Sequence, residues 1–185
     1  MTRKENFKDN RLIDLMICPQ HMLYGPLSPF AWHDGNLVNQ LSSDPWPSNN
    51  LALYYPINLP GDFLTGYLWT MNGSAAAGNI DVGVFDARTG AKMFSSGSTA
   101  MAGTTVVQKI TLAKPKLLKS GAYYLGLSCS TTGAAFYDNL VWATNLNALM
   151  TFYEQASALP LPTTMSKATV STRNRIICFG LGRQL

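Results

Sequence analysis

The chain has 185 residues, of which 46% are hydrophobic and only 13% charged, and its formal net charge at pH 7 is +4. The apolar content is ample for the buried core of one domain with an extension. No stretch reaches the roughly 20 apolar residues of a membrane span, so we expect no membrane contact.

The N-terminal region predicts a short helix and no signal peptide. Residues 5–17 place their apolar side chains on one side of a helix, and Pro19 would end it. Asp14 interrupts the only apolar run in this region, residues 12–17. A secretory signal needs a longer apolar run, so we expect the chain to be made in a host cytoplasm and to stay inside the cell until something carries it out.

The next segment is rich in both proline and large rings. Residues 18–61 contain seven of the ten prolines, which excludes a long helix. Burying one large ring is worth ~2 kcal/mol or more, so these rings must lie against the chain's own domain or against a neighbouring subunit. The sequence leaves both alternatives open. We therefore predict an N-terminal arm over residues 1–50 whose rings anchor a partner, with four of the rings in this stretch as the anchors: Phe30, Trp32, Trp46 and Tyr54.

After Asn50, alternating apolar residues separated by loops rich in Gly, Ser, Asn and Ala predict a series of strands. The predicted strands are residues 51–57, 63–71, 79–86, 91–94, 104–112, 121–130 and 134–139. Short strands at this spacing are typical of a β-sandwich, which we place at residues 51–140.

The strand at residues 79–86 alternates most clearly. Ile80, Val82 and Val84 share one face of an extended chain. Two glycines lie in mid-strand, Gly83 here and Gly126 in a later strand, where we expect a side chain to collide with a ring or with a neighbouring backbone. The rings proposed to lie over them are Tyr67, Trp69 and Tyr124.

The C-terminal region, residues 141–185, is predicted to complete the sandwich or to dock to a neighbour. Residues 140–162 predict a short helix or an irregular crossover that ends at Pro160. Residues 168–182 contain two strand-like runs, and the last one can close a sheet edge.

Three sequence blocks between about residues 60 and 138 resemble a known family. GNIDVGVFDARTG, TTVVQKITL and LKSGAYYLGLSCS are similar to segments of the galactose-binding-like jelly-roll modules of tailed-phage virion proteins, including tail fibres, necks and capsid decorations. Ser120 stands where the family usually has a proline. The resemblance implies an all-β jelly roll in a bacteriophage virion, and it transfers no ligand site.

Catalytic motifs are lacking. GLSCS, residues 126–130, lacks the final glycine of a nucleophile elbow and lies in a strand pattern. A glycosidase would need two carboxylates close together, for which Asp81, Asp86 and Asp138 are the candidates. Turn capping by Asp86 and Asp138 is the favoured interpretation. We expect no enzyme.

No metal-ligand spacing is present either. The three cysteines form no CxxC pair, so they imply neither a zinc site nor a disulfide framework, and we expect buried thiols. We expect no cofactor. The resemblance to jelly rolls, some of which hold Ca²⁺, implies one exception, a calcium ion held by Asp62, Asn79 or Asp138.

The resemblance, together with the lack of catalytic and metal-binding motifs, favours a non-enzymatic structural component of a phage virion, in the tail, the neck or a capsid decoration. We expect it to bind other virion proteins and copies of itself as a symmetric homo-oligomer. The alternative is a carbohydrate-binding module for a host glycan. Four aromatic residues are its candidate stacking rings: Tyr67, Trp69, Tyr124 and Tyr137. Nucleic acid is not expected, because the basic clusters carry no interleaved aromatic residues.

Overall fold

A computed structural model describes residues 16–17, 41–140, 152–173 and 175–183. The predicted anchors Phe30 and Trp32 lie outside these residues, as do most of the predicted N-terminal helix and residues 141–151 of the predicted crossover. At Met16–Ile17 the helix prediction is wrong, because these two residues form a strand.

The described residues form thirteen β-strands and no helix. The strands are β1 (Met16–Ile17), β2 (Leu41–Pro45), β3 (Leu51–Leu59), β4 (Phe63–Met71), β5 (Asn79–Asp86), β6 (Lys92–Ser95), β7 (Thr99–Ala100), β8 (Val107–Leu118), β9 (Gly121–Cys129), β10 (Ala135–Leu140), β11 (Tyr153–Gln155), β12 (Arg175–Ile177) and β13 (Phe179–Arg183). Within these residues, no helical segment offers the length and apolar character that a membrane crossing requires. The prediction of an all-β fold is confirmed.

The strands pair in three antiparallel sheets. One sheet has the order β1-β13-β4-β8, a second has β12-β10-β2, and the largest has β11-β3-β9-β5-β6 with β7 also paired to β5. Cys178 alone separates β12 from β13. Its N–H donates to the Tyr137 carbonyl and its own carbonyl accepts the Met71 N–H, both at 2.9 Å. The two smaller sheets therefore continue into each other as one layer.

The main core lies between this layer and the six-stranded sheet. Ile80, Val82 and Val84 of β5 are all buried in it, as their alternation predicts. The facing layer contributes Leu68 and Phe179 to the same cluster. The described part of the chain is thus a β-sandwich-like assembly of antiparallel sheets.

The end of the predicted arm is part of this assembly. β2 pairs with β10, and Trp46 lies in the main core. The Trp46 ring packs edge-on against Phe136 with 5.1 Å between ring centroids, and its Nε1–H donates to the Leu51 carbonyl. Tyr54 is also fully buried, in β3. Two of the predicted anchor rings therefore contact the chain's own core, where no ring face is left for a partner.

The second face of the six-stranded sheet is covered by residues 158–167, which we call the covering segment. Ala158, Leu161 and Met165 of this segment pack on Tyr54 and Phe85. Part of the segment was predicted as a short helix or an irregular crossover. Of these alternatives, residues 158–162 have the irregular backbone, and the segment buries the outer face of the sheet.

β8 differs most from its predicted bounds. It was predicted at residues 104–112 and runs over Val107–Leu118, past Pro115. Tyr67 pairs with Thr111 but Thr65 pairs with Lys116, so residues 112–115 form a bulge in β8. The bulge accommodates a proline that a regular ladder would exclude.

The mid-strand glycines have the predicted physical role, but with different rings. A Cβ at Gly126 would lie 2.9 Å from ring atoms of Phe85 and Tyr54, and one at Gly83 would meet Leu161 and Ser95 at 2.9 and 3.0 Å. The prediction that Tyr67, Trp69 and Tyr124 are those rings is wrong. Tyr67 instead lies over Gly182, on a different sheet.

We predict that Gly126→Ala lowers the free energy of unfolding by about 1–3 kcal/mol, because its methyl group would overlap two buried rings. Gly61→Ala is the matched control, since a Cβ there meets nothing within 4 Å, and its effect should stay within about 0.5 kcal/mol. Urea unfolding measures both. Equal stability of the two variants would contradict the packing described here.

Candidate functional site

Among the described residues, the four-stranded sheet has an unpaired edge at β8. β8 is the last strand of that sheet, and none of the described strands pairs with its other side. Leu64 and Leu117 stand opposite each other there and are 44% and 53% exposed. Val106 and Val107 are exposed at the other end of the strand. Four of the six exposed large aliphatic or sulfur-containing residues in the described part of the chain thus lie at the two ends of this strand pair. Exposed apolar side chains on one surface are typical of interaction sites.

The same edge is basic. Lys109, Lys114 and Lys116 are exposed on β8, and the Lys109 ammonium lies 4.1 Å from the centroid of the Tyr67 ring. The sequence contains no acidic residue between Asp86 and Asp138. We call the combined surface the β8 edge surface. It consists of Leu64, Val106, Val107, Lys109, Lys114, Lys116 and Leu117.

A separate cleft of about 430 Å³ opens beside the three-stranded sheet. Leu53 and Ile177 from the main core contribute its apolar lining. Its polar lining combines two carboxylates with two guanidinium groups: Asp44, Asp138, Arg173 and Arg175. A volume of a few hundred Å³ with an apolar lining and a few converging polar groups is typical of small-molecule sites.

The polar groups of the cleft form one network. Arg175 Nη1 lies 3.3 Å from both carboxylate oxygens of Asp138 and also forms an ion pair with Asp44. The Ser42 hydroxyl lies between the two carboxylates, 2.8 Å from Oδ1 of Asp138 and in contact with Oδ2 of Asp44. On the neighbouring wall, Arg173 pairs with Glu154 at 3.3 Å. The opposite charges of the cleft therefore balance.

Asp138 is the least exposed charged group of the cleft. Its carboxyl is almost completely buried, and this burial raises its pKa to about 6, although the Ser42 hydrogen bond favours the ionised form. The guanidinium of Arg175 likewise favours the carboxylate. The protonation state of the cleft thus changes near neutral pH.

Asp81 occupies a different place, under the covering segment. It is fully buried, and burial raises its pKa. It accepts hydrogen bonds from Ser95, Ser96 and the Leu161 N–H, while Lys92 donates to the Leu161 carbonyl at 2.6 Å. Both backbone polar groups of Leu161 are therefore bound by side chains of the sheet. This arrangement fastens the segment to the sheet.

The four predicted stacking rings do not form one platform. Tyr67, Trp69 and Tyr137 share a cluster on the outside of the smaller-sheet layer. Tyr124 lies on the outer face of the six-stranded sheet beside Tyr153. Trp69 is only 5% exposed, so it lacks the open face that a pyranose ring needs. The half-buried Tyr67 ring is already in contact with Gly182 and with the Lys109 ammonium.

The three glycosidase candidates do not share a site. Asp86 caps its own turn, as predicted, accepting from the N–H groups of Arg88 and Thr89. The turn-cap interpretation of Asp138 is wrong, because this residue lies within β10 and pairs with Arg175. Asp81 has a third, separate set of partners.

The structure also shows what surrounds candidate calcium ligands and two of the cysteines. Asp62 binds Lys119 at 2.8 Å. In the part of the chain that the structure describes, no three His, Cys, Asp or Glu side chains come together at a metal-binding geometry. Cys129 and Cys178 are buried, as expected, and Cys18 lies outside the described residues. The segment GLSCS lies in β9, where the hydroxyl of Ser128 is buried with no hydrogen-bond partner.

Sequence reasoning missed Asp44 and Arg175, which complete the cleft around Asp138. They are separated from Asp138 by 94 and 37 positions, and neither belongs to a recognisable motif. No protein-family model matches the chain, and the searches of curated proteins and of solved structures also gave no match.

We predict that Asp138 makes the protein less stable as the pH rises from about 4 to 6. The folded protein keeps this proton up to about pH 6, whereas the unfolded chain releases it near 3.8, so the folded state binds more protons between these values. The loss amounts to about 3 kcal/mol at most. We subtract the free energy of unfolding of Asp138→Asn from that of wild type, both measured by urea unfolding. This difference should decrease by up to that amount as the pH rises across this range.

Asp86→Asn is the control with the opposite sign. Hydrogen bonds within its turn lower the pKa of Asp86, so its contribution is present above its usual pKa and is lost as the pH falls. An Asp138→Asn variant whose stability runs parallel to wild type at every pH would contradict the assignment.

Proposed function

We propose that this chain is a non-enzymatic structural component of a phage virion, in the tail, the neck or a capsid decoration, and that it binds another virion protein through the β8 edge surface. The observation that carries the proposal is an edge strand that pairs with no described strand on its other side and that, with β4, exposes four apolar residues, Leu64 and Leu117 at one end and Val106 and Val107 at the other. The backbone groups of such an edge and exposed apolar side chains both favour contact with another chain.

The polar chemistry of the described residues also fits assembly better than catalysis. The buried carboxylates of Asp81 and Asp138 are used to hold the covering segment and to join β2, β10 and β12. A finer assignment is part of the same proposal: a jelly roll with a proline-rich N-terminal arm, present in several symmetric copies. It is supported by the family resemblance, by the proline content of residues 18–61 and by the sandwich-like packing of the sheets.

We predict that Leu64→Ser combined with Leu117→Ser leaves the fold intact but prevents incorporation into particles. Both side chains are exposed, so folding loses little, whereas the contact loses its apolar pair. Val170→Ser is the control, because Val170 is 42% exposed on a different segment.

The measurement is quantitative mass spectrometry of nuclease-treated, gradient-purified particles in which each variant replaces the wild-type chain. Wild type and the control should be present at the same fixed copy number, and the double variant should fall at least about tenfold. Wild-type chain found only outside the particles would contradict the proposed function.

Carbohydrate binding is the second candidate, and the cleft is the observation that favours it. Its two carboxylates accept from sugar hydroxyls, its two guanidinium groups donate to them, and its balanced charge suits a neutral ligand. Leu53 and Ile177, both almost completely buried, contribute only small apolar parts of the lining. The cleft, and not the predicted stacking rings, is therefore the candidate sugar site.

For this candidate we expect millimolar or tighter binding of a host surface oligosaccharide, measured by saturation-transfer NMR. Asp44→Asn should weaken it at least about fivefold, because the variant removes a charged acceptor at the mouth of the cleft. Asp86→Asn, on a remote turn, should leave it unchanged. Binding that both variants retain in full would exclude the cleft as the sugar site.

A further inference from the structure

We propose that the occupant of the β8 edge surface is an extended, acidic segment of another protein, which adds to the four-stranded sheet as a strand beside β8. This inference rests on the proposed function and specifies its partner. It is carried by the pairing, the charge and the apolar side chains of one strand edge.

The backbone of β8 offers the pairing. Residues 107–111 follow a regular antiparallel register with β4, from Met71 opposite Val107 to Tyr67 opposite Thr111. An edge strand of this kind has N–H and C=O groups on its other side that an added strand can pair with. The regular stretch is five residues long, and the bulge at residues 112–115 ends it.

The charge of the edge selects the partner. Lys109, Lys114 and Lys116 are exposed on β8, and this strand and its neighbour β4 contain no acidic residue. Lysines, a proline and a bulge are the features by which proteins prevent an edge from pairing with another copy of itself. The lysines do not repel a negatively charged segment, because opposite charges across an interface attract.

A second copy of this chain does not supply that charge from its described residues. Its acidic side chains there are engaged elsewhere: Asp62 pairs with Lys119, Glu154 with Arg173, and both Asp44 and Asp138 with Arg175. The two others, Asp81 and Asp86, are bound under the covering segment and within a turn. Among the described residues, therefore, a second copy offers no unengaged acidic segment, and we assign the occupant to a different chain.

The side chains favour a protein over a nucleic acid. Phosphates would bind the lysines, but the exposed Leu64, Leu117 and Val107 would gain nothing from a sugar-phosphate backbone. Single-stranded nucleic acids bind through open aromatic faces, and the nearby Tyr67 ring is already in contact with Gly182 and Lys109. An acidic strand with alternating apolar residues matches both the lysines and the aliphatic side chains.

The test uses a fluorescein-labelled nine-residue peptide of alternating valine and glutamate and the full-length protein. Fluorescence anisotropy at low salt should give a Kd in the micromolar range that weakens as salt is added. Two comparison peptides separate the contributions: one has glutamine for glutamate, and the other is N-methylated at alternate residues so that it cannot form a ladder. Both should bind at least about tenfold more weakly.

Two double variants that change the net charge by the same amount test where the peptide binds. Lys114→Glu with Lys116→Glu should weaken binding at least about tenfold. Arg88→Glu with Lys167→Glu, which changes two exposed basic residues away from β8, should change it less than about twofold. Equal weakening by both pairs would overturn the proposal, because it would reflect net charge alone.

Other outcomes overturn it in distinguishable ways. Equal binding of the N-methylated peptide would exclude strand addition, and tighter binding of a 20-nucleotide oligothymidine would identify the edge as a nucleic-acid site. If the Leu64→Ser, Leu117→Ser protein is missing from particles while no acidic peptide binds, the partner chemistry is wrong and the proposed function stands. If that protein enters particles normally, the proposed function itself fails.

Discussion

The structure depends on one constraint: the three central strands of the six-stranded sheet, β3, β9 and β5, are buried on both of their faces. The inner face of this sheet carries the main core, and its outer face is covered by residues 158–167. A doubly buried sheet has little room for side chains, which is why Gly126 lies between the rings of Phe85 and Tyr54. It also cannot leave polar groups to water, so the buried carboxylate of Asp81 must be satisfied internally. The covering segment supplies a backbone N–H for that purpose, and in doing so becomes part of the fold.

The opposite layer is less completely buried, and its exposed edge is the place where a partner can bind. The four-stranded sheet has its inner face in the core, but β8 pairs with no described strand along one side. Among the described rings, Trp46 and Tyr54 are buried, and Tyr67 contacts Gly182 and Lys109. Aliphatic residues and lysines are left on the open edge. The apolar side chains provide contact area, and the charges determine which strands can approach.

The cleft illustrates a second way in which the fold produces a candidate site. Ser42, Asp138 and Arg175 belong to the three strands β2, β10 and β12, and the short sheet they form brings two carboxylates to one guanidinium. Burial raises the pKa of Asp138 to about 6, so the state of this network responds to pH near neutrality. Asp44, Asp138 and Arg175 thus both join the strands and line the cleft.

Local alternation determined much of this from the sequence alone. A period of two in β5 and β9 identifies which residues face the core, and mid-strand glycines indicate close contacts, because both are properties of a single extended segment. Which ring covers Gly126, where β8 ends, and that Asp44, Asp138 and Arg175 meet were decided by the tertiary structure. These depend on pairing between strands far apart in the chain, and many registers satisfy the same alternation. Only the packing of the whole chain, which must bury both faces of one sheet at once, selects among them.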